Sequence, residues 1–260
     1  MKITIITLFP KMFSGFLEES IIKRAKDTGK VEIEVVDLRI FAKNERGSVD
    51  ERPYGGGAGM VLRADVIEKA LSSVKNKILK QVQDDKIKVV LTSAKGKSYN
   101  QAKAKELSQL DHIVIIAGHY EGVDERIMKY IDDEISVGDF IVTGGEIPSA
   151  LIIDSIVRLI PGVLKKEEAT VEESFFEVEI AGLIKACGED EHLGLLIKNG
   201  FTKVKLLEYP HYTRPEVFDG EVVPSVLLSG NHEKIREWRL QEAYKETKNK
   251  RPDLLAIKVK

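Results

Sequence analysis

Residues 112–118 read HIVIIAG and run directly into HYEGVDERI at 119–127. The unbroken isoleucine and valine run is what a strand covered on both faces requires. Working outward, similar runs occur at ITIITLF (3–9), VEIEVVDL (31–38), KVVLTSA (88–94) and FIVTG (140–144). Helical patterns lie between them: LEESIIKRAKDTG, ADVIEKALSSV, NQAKAKELSQL and IPSALIIDSIVRLIPG, the last with Pro148 near its start and Pro161-Gly162 at its end. Strands and helices in alternation predict an α/β fold with a parallel sheet wrapped by helices.

The carboxyl ends of such strands are where open α/β sheets bind ligands. After the 112–118 strand, Gly118 and Gly122 bracket His119, Tyr120 and Glu121. An ordinary strand-to-helix turn, with Asp124 and Glu125 near a helix start, explains that spacing equally well. SVGDFIVTGGEIP (136–148) places glycines at 138, 144 and 145 before Glu146 and Pro148. Two such turns would frame a pocket of backbone donors and acceptors suited to an adenine ring. ERPYGGGAGM (51–60) holds Gly55, Gly56, Gly57 and Gly59. Met60 and Val61 stand where a phosphate-binding P-loop needs lysine and a hydroxyl, and the spacing does not fit a dinucleotide fingerprint. A tight loop passing close to another backbone is the plainer reading.

The 260 residues are 43% hydrophobic and 32% charged, the composition of a soluble globular chain of one or two domains. The single cysteine, Cys187, excludes an internal disulfide and a multi-cysteine zinc cage, and fits a reducing cytoplasm. The start, MKITIITLFP, lacks the features of a signal peptide, and no apolar run approaches a membrane span. A net charge of −2 leaves nucleic-acid binding to local patches. From Lys165 to Glu191 three lysines face nine acids, the pattern of a solvated linker. From Ser229 to Lys260 nine bases face five acids along a helical, amphipathic stretch. YPHYTRP (209–215) interleaves aromatics with Arg214, and Arg236 and Arg239 follow; such residues stack on bases and meet phosphates, or simply form a packed loop and an exposed helix face.

The motifs RPYGGGAGM, GHYEGVDER, SVGDFIVTGGE, SIVRLIPGVL, PHYTRPEV and LLSGNHEKIREWR occur in this order. Together they closely resemble the bacterial tRNA (guanine-N1)-methyltransferase family, TrmD, of the SPOUT superfamily, over about Met1 to Val178 and Leu206 to Pro252. The resemblance implies methyl transfer from S-adenosylmethionine to N1 of the guanine 3′ of the tRNA anticodon. It implies a SPOUT-type parallel sheet with a deep trefoil knot, a small helical C-terminal domain, and a cytoplasmic homodimer with active sites at the subunit interface. The domains would be 1–164, an acidic interdomain linker with an insertion at 165–207, and a tRNA-binding domain at 208–260. The cofactor pocket would use Leu91, Ser93, Gly118, Tyr120, Val137, Gly138, Asp139, Phe140, Ile141, Val142, Gly144 and Gly145. Glu121 would read the guanine, and Arg214, Arg236 and Arg239 would contact tRNA. The family also implies Mg²⁺ for activity, although no metal-ligand cluster is readable.

The chemistry limits the catalytic groups. A sulfonium methyl needs no metal to be attacked, but guanine N1 must lose a proton, and a carboxylate within reach can take it. Charge then grows on O6, where a fixed arginine stabilises it. By resemblance the arginine is Arg158 and the carboxylate is Glu173, in TVEESFF, where the family has aspartate. The sequence departs further at Ala94 and Lys95, where proline and glutamine are usual, and in a longer connection after Phe175. The departures at Glu173 and in the linker are the only support for a paralogue that binds tRNA or protein and has lost catalysis; a nucleotide-hydrolysing protein is disfavoured by the missing P-loop lysine.

Overall fold

The computed structural model describes residues 1–42, 48–78, 86–165, 173–188 and 190–255. They fall into two compact units, residues 1–165 and 166–260. The first unit runs β1 (Lys2–Thr7), α1 (Ser14–Leu17), α2 (Ser20–Asp27), β2 (Glu32–Asp37), β3 (Asp50–Glu51), β4 (Val61–Leu62) and α3 (Ala64–Ile78). It continues with β5 (Ile87–Ser98), α4 (Gln101–Leu107), β6 (His112–Ala117), β7 (Asp133–Ser136) and α5 (Glu146–Val157). The central sheet has the order β2-β1-β6-β5-β7 and every pairing in it is parallel.

The 112–118 run explains this arrangement. All six residues of β6 are buried, and alternate side chains enter different cores. Ile113 and Ile115 pack with Ile3, Ile5, Ile152 and Ile156. Val114 and Ile116 pack with Ile6, Leu62, Val66 and Ile67. Helices therefore cover both faces, as the sequence predicts.

The expected strand at 140–144 does not form. The fifth strand is β7, and Phe140, Ile141 and Val142 lie beyond it, 58%, 84% and 43% exposed. Gly138, at φ 154°, ends the extended run, and the space a side chain there would need is filled by the Phe140 ring. The helix expected across 17–29 is broken into α1 and α2, with Ser20 at φ 55°.

The second unit contains β8 (Phe176–Glu179), α6 (Ile180–Cys187), α7 (Glu191–Lys198), β9 (Lys203–Leu206), β10 (Val217–Phe218), β11 (Glu221–Val222), α8 (Ser225–Leu228) and α9 (His232–Lys250). Strands β8 and β9 pair antiparallel from Phe176↔Leu206 to Glu179↔Lys203. Residues 177–205, whose fold the sequence leaves open, supply Ile180, Leu183, Leu193, Leu196 and Val204 to a core shared with Ala243 and Tyr244 of α9. Asp190 caps α7, accepting from the His192 amide, and pairs with Lys248 of α9 at 3.0 Å. The stretch is thus built onto α9.

Candidate active site

Where β5 leaves its register with β7 after Thr92, its residues 91–95 and the carboxyl ends of β6 and β7 enclose a cavity of about 350 Å³. That volume suits a small organic ligand. Leu91, Ser93, Gly118, Tyr120, Glu121, Val137, Gly138, Phe140, Ile141, Val142, Gly144 and Gly145 line it, together with Ala94 and Lys95. Asp139 is not in the lining, nor are Arg158 and Glu173. Thr92, His119, Met128 and Glu134 also line it. His119 has a signal in the sequence, as the first residue of the polar trio; Thr92, Met128 and Glu134 have none.

The glycines let three chain segments meet. Gly145 donates its N–H to Gly118 O at 2.6 Å, and His119 and Gly144 form an isolated antiparallel bridge. A Cβ on Gly145 would stand 2.5 Å from the Gly118 nitrogen. A Cβ on Gly144 would stand 2.3 Å from His119 Nδ1 and 2.4 Å from Glu146 Oε2. Gly144 is therefore small because buried side chains press on it. Tyr120 adopts φ 59°, so the turn carrying it holds a conformation that non-glycine residues seldom take.

The glycine loop joins the same edge. The Glu121 amide donates to Met60 O (3.0 Å), Leu62 N–H donates to Gly122 O (2.9 Å) and Asp124 N–H donates to Leu62 O (2.9 Å). At Gly59 a Cβ would lie 2.4 Å from Glu121 Oε1. The nearest atoms belong to the flexible side chain of exposed Glu121 rather than to another backbone, so the close backbone crossing expected from the sequence is not what Gly59 meets. Gly59, Gly55 and Gly56 share left-handed φ of 84°, 84° and 81°, and Gly55 and Gly56 have open space around them; the backbone conformation accounts for their identity. Tyr54 beside them is fully exposed.

Arg158 follows the last turn of α5, the helix whose first residues stand at the cavity. Twelve helical residues separate it from that end by about 18 Å, more than one side chain spans. Glu173 belongs to the second unit, where the chain around it is tightly bonded. Phe175 N–H donates to Leu206 O (2.7 Å), Phe176 N–H to Glu173 O (3.1 Å) and Glu208 N–H to Ser174 Oγ (3.1 Å). Phe175 holds φ 76°, and the Arg251 guanidinium lies 5.8 Å from its ring centroid. Glu172, its neighbour, is outside the described residues.

Arg214 and Arg236 are exposed. Arg239 is partly buried, its guanidinium 4.8 Å from the Tyr209 ring centroid, and Tyr212 and Trp238 lie 6.2 Å apart. Among the described residues no three of His, Cys, Asp and Glu gather to hold a metal, and no helix is long and apolar enough to cross a membrane.

The sequence model of one protein family, described as tRNA (Guanine-1)-methyltransferase TrmD, matches residues 1–257, a range that includes the 179–205 stretch. A protein of Moorella thermoacetica is 44% identical over 257 residues, covering 98% of this chain and 90% of its own. One from Geobacillus kaustophilus is 46% identical over 256 residues, with 98% and 91% covered. One from Endomicrobium trichonymphae is 42% identical over 259 residues, with 98% and 99% covered. All three are named tRNA (guanine-N(1)-)-methyltransferase.

Proposed function

The chain belongs to the tRNA (guanine-1)-methyltransferase TrmD family and methylates N1 of guanine in tRNA; we propose that the methyl donor is S-adenosylmethionine, held in the cavity at the sheet edge, and that the target is the guanine 3′ of the anticodon. The carrying observation is that cavity. It lies at the carboxyl ends of parallel strands, has the volume of a small ligand, and is walled by glycine-rich main chain that can pair with an adenine edge. Bound there, S-adenosylmethionine supplies an electrophilic sulfonium methyl.

The chain's own residues supply the rest. Glu121, laced to the glycine loop, reads the guanine. The Glu173 carboxylate takes the N1 proton, and the Arg158 guanidinium stabilises the charge that grows on O6. Asp139 remains in the cofactor set through its family position alone. The distance along α5 supports a homodimer in which Arg158 serves a cavity other than the one beside its own helix start. The close crossing of the 118–122 and 137–145 segments supports a trefoil knot of the SPOUT type. In the second unit Arg214, Arg236 and Arg239 contact tRNA, Arg239 while stacked on Tyr209. A cytoplasmic location fits a tRNA substrate. The described residues offer no cage for Mg²⁺, and no step here passes through a metal.

The test is methyl transfer from labelled S-adenosylmethionine to an unmodified tRNA transcript, with the product base mapped. 1-Methylguanine at the position 3′ of the anticodon is expected. Methylation elsewhere, or an inert S-adenosylmethionine, would overturn the reading.

A further inference from the structure

Beneath the cavity wall lies a carboxylate that the mechanism does not use. Glu146 is 1% exposed, in the first turn of α5. Its Oε1 accepts from the Thr7 hydroxyl at 2.8 Å, and Thr7 Oγ1 in turn accepts from Phe9 N–H at 3.0 Å. Its Oε2 is buried and has no hydrogen-bond partner. His119 Nδ1, also buried and also without one, lies 3.5 Å away. A buried donor or acceptor left without a partner is costly. A single proton on Nδ1, with a closure of a few tenths of an ångström, satisfies both atoms.

His119 itself lines the cavity, its ring 4.9 Å from that of Phe9 and edge-on to Tyr120 at 4.7 Å. It opens the turn that carries Tyr120 and Glu121. Gly144 closes over the pair so tightly that not even a methyl fits. We propose that Glu146 is a positioning residue for the cofactor pocket: it accepts a hydrogen bond from His119 Nδ1–H, fixes the imidazole ring, and so ties the turn at 118–122 to the start of α5. The left-handed backbone of Tyr120 is held by this tie, and the wall is set before the cofactor arrives. Its effect is therefore on cofactor affinity rather than on the methyl-transfer step.

The proposal rests on the cavity being the S-adenosylmethionine site. Nitrogen-15 NMR of the imidazole groups in the wild-type protein, without any variant, is expected to show His119 protonated at Nδ1 and bonded. A His119 ring carrying its lone pair at Nδ1 overturns the proposal. Glu146→Met is the companion variant. It keeps the length of the side chain but offers His119 Nδ1–H no oxygen to donate to, so the ring is released from α5. Calorimetry is expected to show S-adenosylmethionine binding weakened on the order of tenfold, the scale of one hydrogen bond. KM for the cofactor should rise with kcat at saturation held. Equal affinity in wild type and Glu146→Met sinks the positioning role; no binding to the wild type sinks the cofactor reading instead.

Discussion

Three residues carry expectations that single substitutions can check. Glu173→Gln keeps size and hydrogen bonding but cannot accept a proton, so single-turnover methyl transfer should fall about 10²–10⁴-fold with cofactor affinity intact. Glu173→Asp should also be slower than wild type. Phe175 N–H is bonded to Leu206 O and the Ser174 hydroxyl accepts from Glu208 N–H, so this segment is held and does not advance to restore the lost reach. Gly59→Ala would press a methyl on the Glu121 carboxyl at φ 84°. The expected result is a higher KM for tRNA with unchanged calorimetric binding of S-adenosylmethionine. His112 gives a pH dependence. It is buried, bonded to Thr4 Oγ1 at 2.9 Å, and its pKa is pushed down to about 4 by burial, with Lys2 adding to the effect against the weaker opposing pull of Glu34 and Glu32. The unfolded histidine binds its proton near the ordinary value of about 6.5. Between those values the unfolded state holds more protons, so this contribution to stability is complete above the unfolded value and is lost as pH falls toward 4. Denaturant unfolding at stepped pH should show this slope, reduced in His112→Gln.

Among elements, those with strong apolar periodicity were legible: β1, β5, β6 and α5 stand where Ile and Val runs predict them. Strand β7 was not, because two of its four residues are acids. Asp133 is accommodated at this sheet edge by Lys88 and Lys103, at 3.1 and 2.8 Å, partners 45 and 30 residues away. FIVTG misled for the converse reason, since its apolar side chains face outward beyond the sheet. The cavity lining was legible through its glycine turns and the family order of motifs. The Glu146–His119 contact was not, for it joins groups 27 positions apart that share no periodicity. The sequence leaves the fold of the 177–205 stretch open within a linker placed at 165–207, yet Leu183 and Leu193 are fully buried in a core shared with α9. Leu183→Ala should destabilise the second unit by about 2–5 kcal/mol. In urea its unfolding should then precede that of the first unit, with tRNA affinity falling and cofactor binding retained. A single unshifted transition would show that the stretch adds little to this unit.

At the scale of the molecule, the first unit by itself leaves α5 half covered. Its sequence is apolar nearly all round, EIPSALIIDSIV, the signature of a helix buried on every side. Ile152, Ile153 and Ile156 fill the core, but Ile147 and Leu151 are 61% and 48% exposed, and Phe140, Ile141 and Val142 after β7 are exposed as well. A second copy of the chain would cover these residues and carry Arg158 to a cavity that its own helix holds it away from. Leu151→Lys should accordingly yield a monomer by sedimentation, with folded first units but no methyl transfer. Complementation distinguishes how the two subunits share a site. In the proposed homodimer, Arg158→Ala and Glu173→Gln should each abolish methyl transfer. If every site takes its arginine from one protomer and its carboxylate from the other, then in a mixed dimer one site receives both damaged groups and the second receives both intact ones. Random mixing of equal amounts makes half the dimers mixed, so activity should return to about a quarter of wild type under two-fold symmetry. If both groups come from the same protomer, every site in every dimer carries one defect, and mixing restores nothing.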